Sequence, residues 1–340
     1  PLPGATNDVQ LLNETLQRRG FKRDEITILS DGINGATSPT RRNIMQALEK
    51  LVASAAPGDF FFVHLSGHGS QQPVDPKRKS ARAEPDGLNE TFLPIDIGRW
   101  DGARSTVSNA IVDFELDALL ETMNINGAFV WGSFDACHSA SLMRGAPEAG
   151  MTLRNVDPQA LGVPKALLDE VQAQAVVSRG QPIGEPALET QRSRSSEGGF
   201  VAFYAAQTSE ETLELAMPRE KPAGASTRKV HGVFTYTLAE AINTHEVASY
   251  RELMQFILMR YSAQVLSQKP SPVLSGTHLD AIAFGGAKAA GPRQWAIRQE
   301  AGVLRIGAGY LAQIREGTEF SVVADPLAVA GKQLGVAVTK

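Results

Sequence analysis

Residues 59–70 read DFFFVHLSGHGS, and residues 127–141 read GAFVWGSFDACHSAS. Each stretch starts as an apolar run and ends in small, polar, reactive residues. Apolar runs of this length are typical of strands buried on both faces of a parallel sheet. In open α/β sheets ligands bind at the carboxyl ends of the strands. One run ends at His68, set between Gly67 and Gly69. The other ends at Asp135, with Cys137 two residues on.

Outward from these strands, helical and extended patterns alternate. Val9, Leu11, Leu12 and Leu16 share one helical face, with Asp8 at the N-cap position and Gly20 as the stop. EITILSD (25–31) reads as a strand. Thr40 caps a second helix that runs to Ala55, with Ile44, Leu48, Leu51 and Val52 inward. Residues 71–90 are polar, and TFLPID (91–96) reads as a short strand. Ile111 to Met123 has helical spacing. Residues 145–198 are rich in Gly, Pro, Gln, Ser and Arg and read as a linker or loop. FVAFYAAQ (200–207) is a strand, and Phe234–Ile242 and Tyr250–Leu266 are helices. From about Trp295, short alternating runs such as AGVLRIGAG, TEFSVVA and LGVAVTK indicate a small β module. The alternation over the first 285 or so residues predicts an α/β fold with a mostly parallel sheet.

Composition bounds the function. The chain has 340 residues, 42% apolar and 21% charged, with a formal charge of −4. That mild acidity argues against a nucleic-acid partner, which usually demands a basic excess. One cysteine excludes an intrachain disulfide framework and a multi-cysteine zinc site. No window reaches the roughly 18 apolar residues of a membrane helix, so no membrane partner is expected. The chain opens at Pro1 without a signal peptide. A cytoplasmic location is expected, with an upstream targeting segment left open.

A lone cysteine is either a small buried hydrophobe or a nucleophile. Cys137 follows a buried strand and precedes a helical stretch, where a thiol pKa falls. His68 ends another strand between glycines that allow close approach by a substrate. If those strands are neighbours, imidazole and thiol meet, as cysteine catalysis requires. His138 is a rival base, but a residue adjacent to Cys137 would point away from the sulfur. His64 and His68 are spaced as a metal pair would be on a helix. They lie on a strand without a matching glutamate, so no metal or other cofactor is expected.

These motifs resemble those of the caspase-like cysteine peptidases (peptidase family C14), in particular metacaspases and their bacterial metacaspase-like (orthocaspase) relatives. The Ser-Gly-His-Gly of residues 66–69 and the Asp-Ala-Cys-His-Ser of 135–139 carry the likeness. GATNDVQLL, PTRRNI, PDGLNETFLPID and VHGVFTYTLAEAI extend it over about residues 1–285. The resemblance implies a caspase-like α/β/α sandwich, to which the chain adds a small C-terminal β module. It implies that His68 is the general base and acid, that Cys137 is the nucleophile, and that the backbone N–H groups of Gly69 and Cys137 form the oxyanion hole.

Metacaspases carry an acidic pocket for the residue before the scissile bond. The matching positions here are Asp8, Ser66 and Asp135, with Ala5 where some members have cysteine. Two carboxylates facing one cavity repel, and a substrate cation relieves them. The expected substrates are therefore peptides and proteins with Arg, then Lys, before the bond, since guanidinium bridges carboxylates. The family's calcium cluster falls near Asn89, Asp113, Phe114 and Arg144. Only Asp113 keeps a carboxylate, so calcium-independent activity is expected. Arg154, Arg179, Arg192 and Arg194 lie in the 145–198 segment. As accessible arginines they would make it an autoprocessing loop.

Family members also begin with a central hydrophobic strand, which is expected upstream of Pro1. The domain reading is a large subdomain at 1–144, a linker at 145–198, a small subdomain at 199–290 and the β module at 291–340, with a protein partner for the module. Two rival functions stand beside the basic-specific endopeptidase. One is a catalytically idle caspase-fold scaffold. The other is a caspase-fold peptidase with Asp or Asn preference.

Overall fold

The computed structural model describes residues 2–75, 86–136, 150–179, 198–207, 210–219, 225–226, 228–245, 247–263, 270–285, 297–300, 302–306, 314–323 and 333–339. The chain begins with α1 (Pro3–Arg18) and α2 (Arg41–Ser54), then β1 (Phe60–Ser66), β2 (Gly69–Pro73) and β3 (Leu88–Phe92). Two short strands, β4 (Trp100–Asp101) and β5 (Thr106–Val107), precede β6 (Ile111–Val112), α3 (Asp113–Ile125) and β7 (Phe129–Asp135). Next come β8 (Thr152–Leu153), α4 (Lys165–Arg179), β9 (Phe200–Tyr204), β10 (Leu213–Met217) and β11 (Lys229–Gly232). Then follow α5 (Val233–Thr244), α6 (Tyr250–Ala263) and β12 (Val273–Gly276). The chain closes with β13 (Ile297–Glu300), β14 (Val303–Ile306), β15 (Glu319–Val323) and β16 (Gln333–Val338).

The central sheet has the order β1-β7-β9-β12. The first three strands are parallel and β12 is antiparallel, so the sheet is mostly parallel as expected. Alternation along each strand sends side chains to opposite faces. Trp131, Val201 and Phe203 pack with Phe234, Leu238, Tyr250, Leu253 and Ile257 of α5 and α6. Val130, Phe134, Val63 and Ala202 pack with Ile44 and Leu48 of α2 and Leu116, Leu120 and Met123 of α3. Helices thus cover both faces, giving three layers. Each large apolar side chain buried this way contributes about 1.5–3 kcal/mol.

Register aligns the two motif strands. Ser66 pairs with Asp135, and the Gly67 N–H donates to the Asp135 carbonyl at 3.2 Å. The strands quoted at the outset are therefore neighbours and end at the same level. Gly67 is needed there: a Cβ would come within 2.9 Å of the Phe92 ring.

Several local expectations are corrected. Asp8 is not an N-cap, because Pro3 starts α1 early with its preset φ. Asp8 therefore lies inside the helix, wholly buried. EITILSD forms no ladder strand; Arg23–Glu25 is a 3₁₀ turn, and Leu29 makes an isolated bridge to Thr37. A strand needs a partner along its length, and no described strand lies alongside this one. The polar stretch after His68 contributes β2, paired antiparallel with β3. Gln72 is buried because it is satisfied: its Oε1 accepts from the Val107 N–H at 2.8 Å. Thr40 does cap α2, accepting from the Asn43 N–H at 3.2 Å.

Within 145–198, the described residues 150–179 carry β8 and α4, with Met151, Arg154, Leu161 and Val163 buried. The C-terminal runs form two hairpins, β13–β14 and β15–β16, with Val303, Leu334, Val336 and Val338 more than half exposed. Among the described residues, no helix is long and apolar enough to cross a membrane.

Candidate active site

The carboxyl ends of β1 and β7 form the floor of the site, and α1 and β11 close one side. α1 packs against β11, which brings Asp8 beside the last residues of that strand. Asp8, Ser66 and Asp135 converge there, as the sequence led us to expect. Ser66 Oγ donates to Asp8 Oδ2 at 2.8 Å. Ala5, half-buried, sits one turn before Asp8 on α1.

The pocket they form holds an arginine from the same chain. Arg154 follows β8 directly and is wholly buried. Its Nη2 donates to Asp8 Oδ2 at 2.5 Å and to Glu214 Oε1 at 3.0 Å. Its Nη1 lies 3.1 Å from Asp135 Oδ2 and donates to Ser66 Oγ and the Asp135 carbonyl, both at 2.8 Å. Arg154 was expected to be an accessible arginine. Instead, the acidic pocket has drawn it in.

The carboxylates are themselves well held. Asp8 accepts from the Gly232 N–H at 3.1 Å and lies 3.1 Å from His231 Nδ1. Asp135 accepts from Thr212 Oγ1 at 2.9 Å, Thr235 Oγ1 at 2.6 Å and the Thr235 N–H at 3.0 Å. Burial would push Asp8 up, but the Arg154 charge and the His231 hydrogen bond outweigh it and hold Asp8 below the usual carboxylate value. Burial opposes the charge on Arg154 too. Asp135, Asp8 and Glu214 overcome that and hold the guanidinium charged beyond its ordinary range. At Glu214 burial wins, and its pKa is raised despite Arg154.

His68 lies between β1 and β2. Burial lowers its pKa, partly countered by a hydrogen bond to the Arg154 backbone. Its Nδ1 is buried with no hydrogen-bond partner among the described residues. The Gly69 N–H, expected in the oxyanion hole, donates to the Arg154 carbonyl at 2.9 Å. Cys137 and His138 lie outside the described residues, as do Arg144, Arg192, Arg194 and the Arg179 side chain. The described chain reaches Ala136, buried one residue before Cys137.

His64 plays a different part. Its Nδ1 lies 3.0 Å from Ser133 Oγ and its Nε2 3.4 Å from Thr235 Oγ1. Burial pushes its pKa down to about 4, so it is a neutral, hydrogen-bonded core histidine.

Comparison with known proteins fits this arrangement. The family model "Metacaspase, peptidase C14 domain" matches residues 1–145. Residues 1–145 are a metacaspase-type peptidase C14 domain. Metacaspase-1 of Mycosarcoma maydis is 29% identical over 295 residues, covering 82% of this chain and 66% of that protein. Metacaspase-1 of Schizosaccharomyces pombe is 27% identical over 292 residues, covering 82% of this chain and 64% of that protein. Metacaspase-7 of Arabidopsis thaliana is 34% identical over 148 residues, covering 43% of this chain and 33% of that protein. The chain thus spans at most about two thirds of these relatives.

The calcium positions of metacaspases do not fit an ion here. Asn89 and Phe114 line a cavity of about 310 Å³ that Arg41 and Arg104 also line. Arg41 Nη2 donates to Glu115 Oε1 at 2.7 Å, so that carboxylate already has its cation. Calcium wants six to eight oxygens; Asp75 and Glu115 bring the carboxylates of this lining, Glu115 is held by Arg41, and the two guanidinium groups repel a cation. Among the described residues, no group of three or more His, Cys, Asp or Glu side chains could hold a metal ion.

Five members of this site escaped the sequence reading: Arg154, Thr212, Glu214, His231 and Thr235. Glu214 carried a signal, as the one charge in the apolar run LELAM. Arg154 lies in MTLRNV, between Leu153 and Val156, and had a weaker one.

Proposed function

We propose that the chain is a cysteine endopeptidase that cuts after Arg, then Lys, using His68 and Cys137. The observation that carries this reading is the seating of Arg154 among Asp8, Ser66 and Asp135. A pocket that buries a guanidinium on three carboxylates is built for a basic side chain. A carboxylate or amide side chain would find Asp8 and Asp135 hostile or indifferent, which disfavours Asp or Asn preference.

In this reading Cys137 attacks the carbonyl carbon of the residue in the pocket. The Gly69 and Cys137 N–H groups hold the oxyanion. His68 takes the thiol proton and delivers it to the leaving amine. Loss of one oxyanion donor typically costs about 10²–10³ in rate. Activity without calcium is supported by the guanidinium-lined cavity at the family's calcium positions. The substrates are peptides and proteins, and the exposed apolar hairpins of the C-terminal module are its surface for a protein partner.

Burial of Arg154 also favours a second reading, an idle scaffold whose pocket is permanently plugged. One experiment separates the readings: fluorogenic peptides with Arg, Lys, Asp or Asn before the bond, given to wild type and Cys137→Ala. Turnover of Arg and Lys peptides by wild type alone is expected. Turnover of Asp or Asn peptides instead would overturn the specificity, and turnover of none would favour the scaffold.

A further inference from the structure

Arg154 fills the acidic pocket, and the residue after it meets a different carboxylate. We propose that Glu211 is a second recognition site, for the substrate residue that follows the scissile bond, and that it favours Lys, Arg or an amide side chain there over Asp or Glu. This rests on the basic-specific peptidase reading above and deepens it by a second position of the substrate sequence.

Residues 152–156 show how an extended peptide lies in this site. Thr152 and Leu153 pair antiparallel with Glu214 and Leu213, and the Arg154 N–H donates to the Thr212 carbonyl at 3.0 Å. The Arg154 carbonyl accepts from the Gly69 N–H at 2.9 Å, the donor expected in the oxyanion hole. The Val156 N–H donates to the Gly69 carbonyl at 3.0 Å, and Ser70 Oγ donates to the Val156 carbonyl at 2.7 Å. Peptides held this way are gripped by backbone groups and send alternate side chains to different places. Thr212 and Glu214 serve the acidic pocket. Thr212 Oγ1 donates to Asp135 Oδ1 at 2.9 Å, and Glu214 Oε1 accepts from Arg154 Nη2 at 3.0 Å. Glu211 instead meets Asn155, whose Nδ2 donates to Glu211 Oε1 at 3.1 Å.

That one bond leaves the contact unfinished. Glu211 Oε2 and Asn155 Oδ1 are both buried with no hydrogen-bond partner among the described residues. Asp8 and Asp135, which frame the pocket, have both oxygens bonded. Glu211 and Glu214, which meet the seated strand, each keep one oxygen unbonded. A polar atom buried without a partner is destabilising, so these spare oxygens are capacity for a better ligand. Burial raises the Glu211 pKa, and the bond from Asn155 offsets this only in part. A Lys or Arg side chain at the Asn155 position would bring donors for both Glu211 oxygens and a charge that favours the ionised carboxylate. Asn brings donors but strands its own carbonyl oxygen, and Ala brings none. Asp or Glu would set a second carboxylate against the first in a partly buried place. The expected order after the bond is Lys or Arg, then Asn, then Ala, then Asp.

The test uses internally quenched peptides of one sequence, with Arg before the bond and Lys, Asn, Ala or Asp directly after it. Product masses locate each cut, so cleavage after the introduced Lys is counted apart. Wild type is expected to give a kcat/KM for the Lys peptide about tenfold or more above that for the Asp peptide, with Asn and Ala between them. In Glu211→Gln the Lys-to-Asp ratio is expected to fall to about twofold or less, while Asn stays ahead of Ala because the new amide oxygen still accepts. The ratio is taken within each protein, so a general change of rate in the variant does not enter it. An Arg-coumarin amide has no residue after the bond and reports the peptidase reading by itself. Wild type that releases coumarin but cuts all the peptides within about twofold of one another, or cuts the Asp peptide fastest, would overturn this inference and leave the peptidase reading standing. So would a Glu211→Gln protein that keeps the full wild-type ratio. Wild type that releases no coumarin and cuts no peptide would overturn both. If Glu211→Gln fails to fold, the wild-type order decides.

Discussion

Replacing Arg154 by leucine removes a buried cation that three carboxylates share. The Arg154→Leu change is best made with Cys137→Ala in both reference and variant, so that the two chains differ only at the pocket. Breaking a buried ion pair from one side costs about 3–5 kcal/mol, because the remaining charge is left uncompensated. Three carboxylates do not triple that figure. Burial already raises the Glu214 pKa, so Glu214 takes up a proton first. Asp135 keeps its bonds from Thr212 and Thr235. Asp8 bears most of the loss, since Arg154 is the chief force opposing its desolvation. We therefore expect a loss of about 3–5 kcal/mol near pH 8. The pH dependence should also change sign. In the reference chain the Asp8 pKa is lowered by folding, so its stabilisation is complete above the unfolded value near 3.9 and fades as pH falls through the native value. In the variant, burial acts with little opposition and raises the native pKa above the unfolded one. The native state then binds the proton more tightly, and stability rises as pH falls from 8 toward 5. Urea unfolding of both proteins at pH 5 and pH 8 measures this directly. A loss under about 1 kcal/mol, equal at both pH values, would refute the view of Arg154 as the cation that holds this pocket together.

Three further outcomes are expected. The acid limb of kcat/KM for an Arg peptide should fall at a pH below 6.5, because burial lowers the His68 pKa and the neutral imidazole is the working base; a limb above 7 would contradict this. Millimolar calcium and chelator should give rates within about twofold of each other, read with the same peptide; a rise of tenfold or more with calcium would place an ion where Arg41 and Arg104 now stand. Glu214→Gln should raise KM for Arg peptides by about threefold to tenfold with little change in kcat, since Glu214 Oε1 meets the guanidinium of the seated arginine.

The fold was legible wherever burial leaves a pattern. GAFVWGSFD is a buried strand because a parallel strand covered by helices must be apolar throughout; DFFFVHL, at the sheet edge, is half-buried. One misreading and one segment left unassigned share one physical origin. EITILSD has strand composition but no described neighbour to complete a ladder. GSQQP has loop composition but lies in a ladder, with Gln72 satisfied by Thr106 and Val107. Local propensity reports what a segment can do; pairing partners decide what it does.

The site was half legible for a related reason. Ser66 and Asp135 follow from motifs at strand ends, and the register levels them; Asp8, inside α1, followed from the family resemblance alone. Arg154 belongs to no such motif. The negative charge of Asp8, Asp135 and Glu214 acts on any arginine of the chain that can reach it. In water an arginine in a stretch such as MTLRNV gains little from being ordered. Facing three carboxylates and two open strand edges, it gains a charge partner for each arm and a hydrogen bond for its N–H and carbonyl.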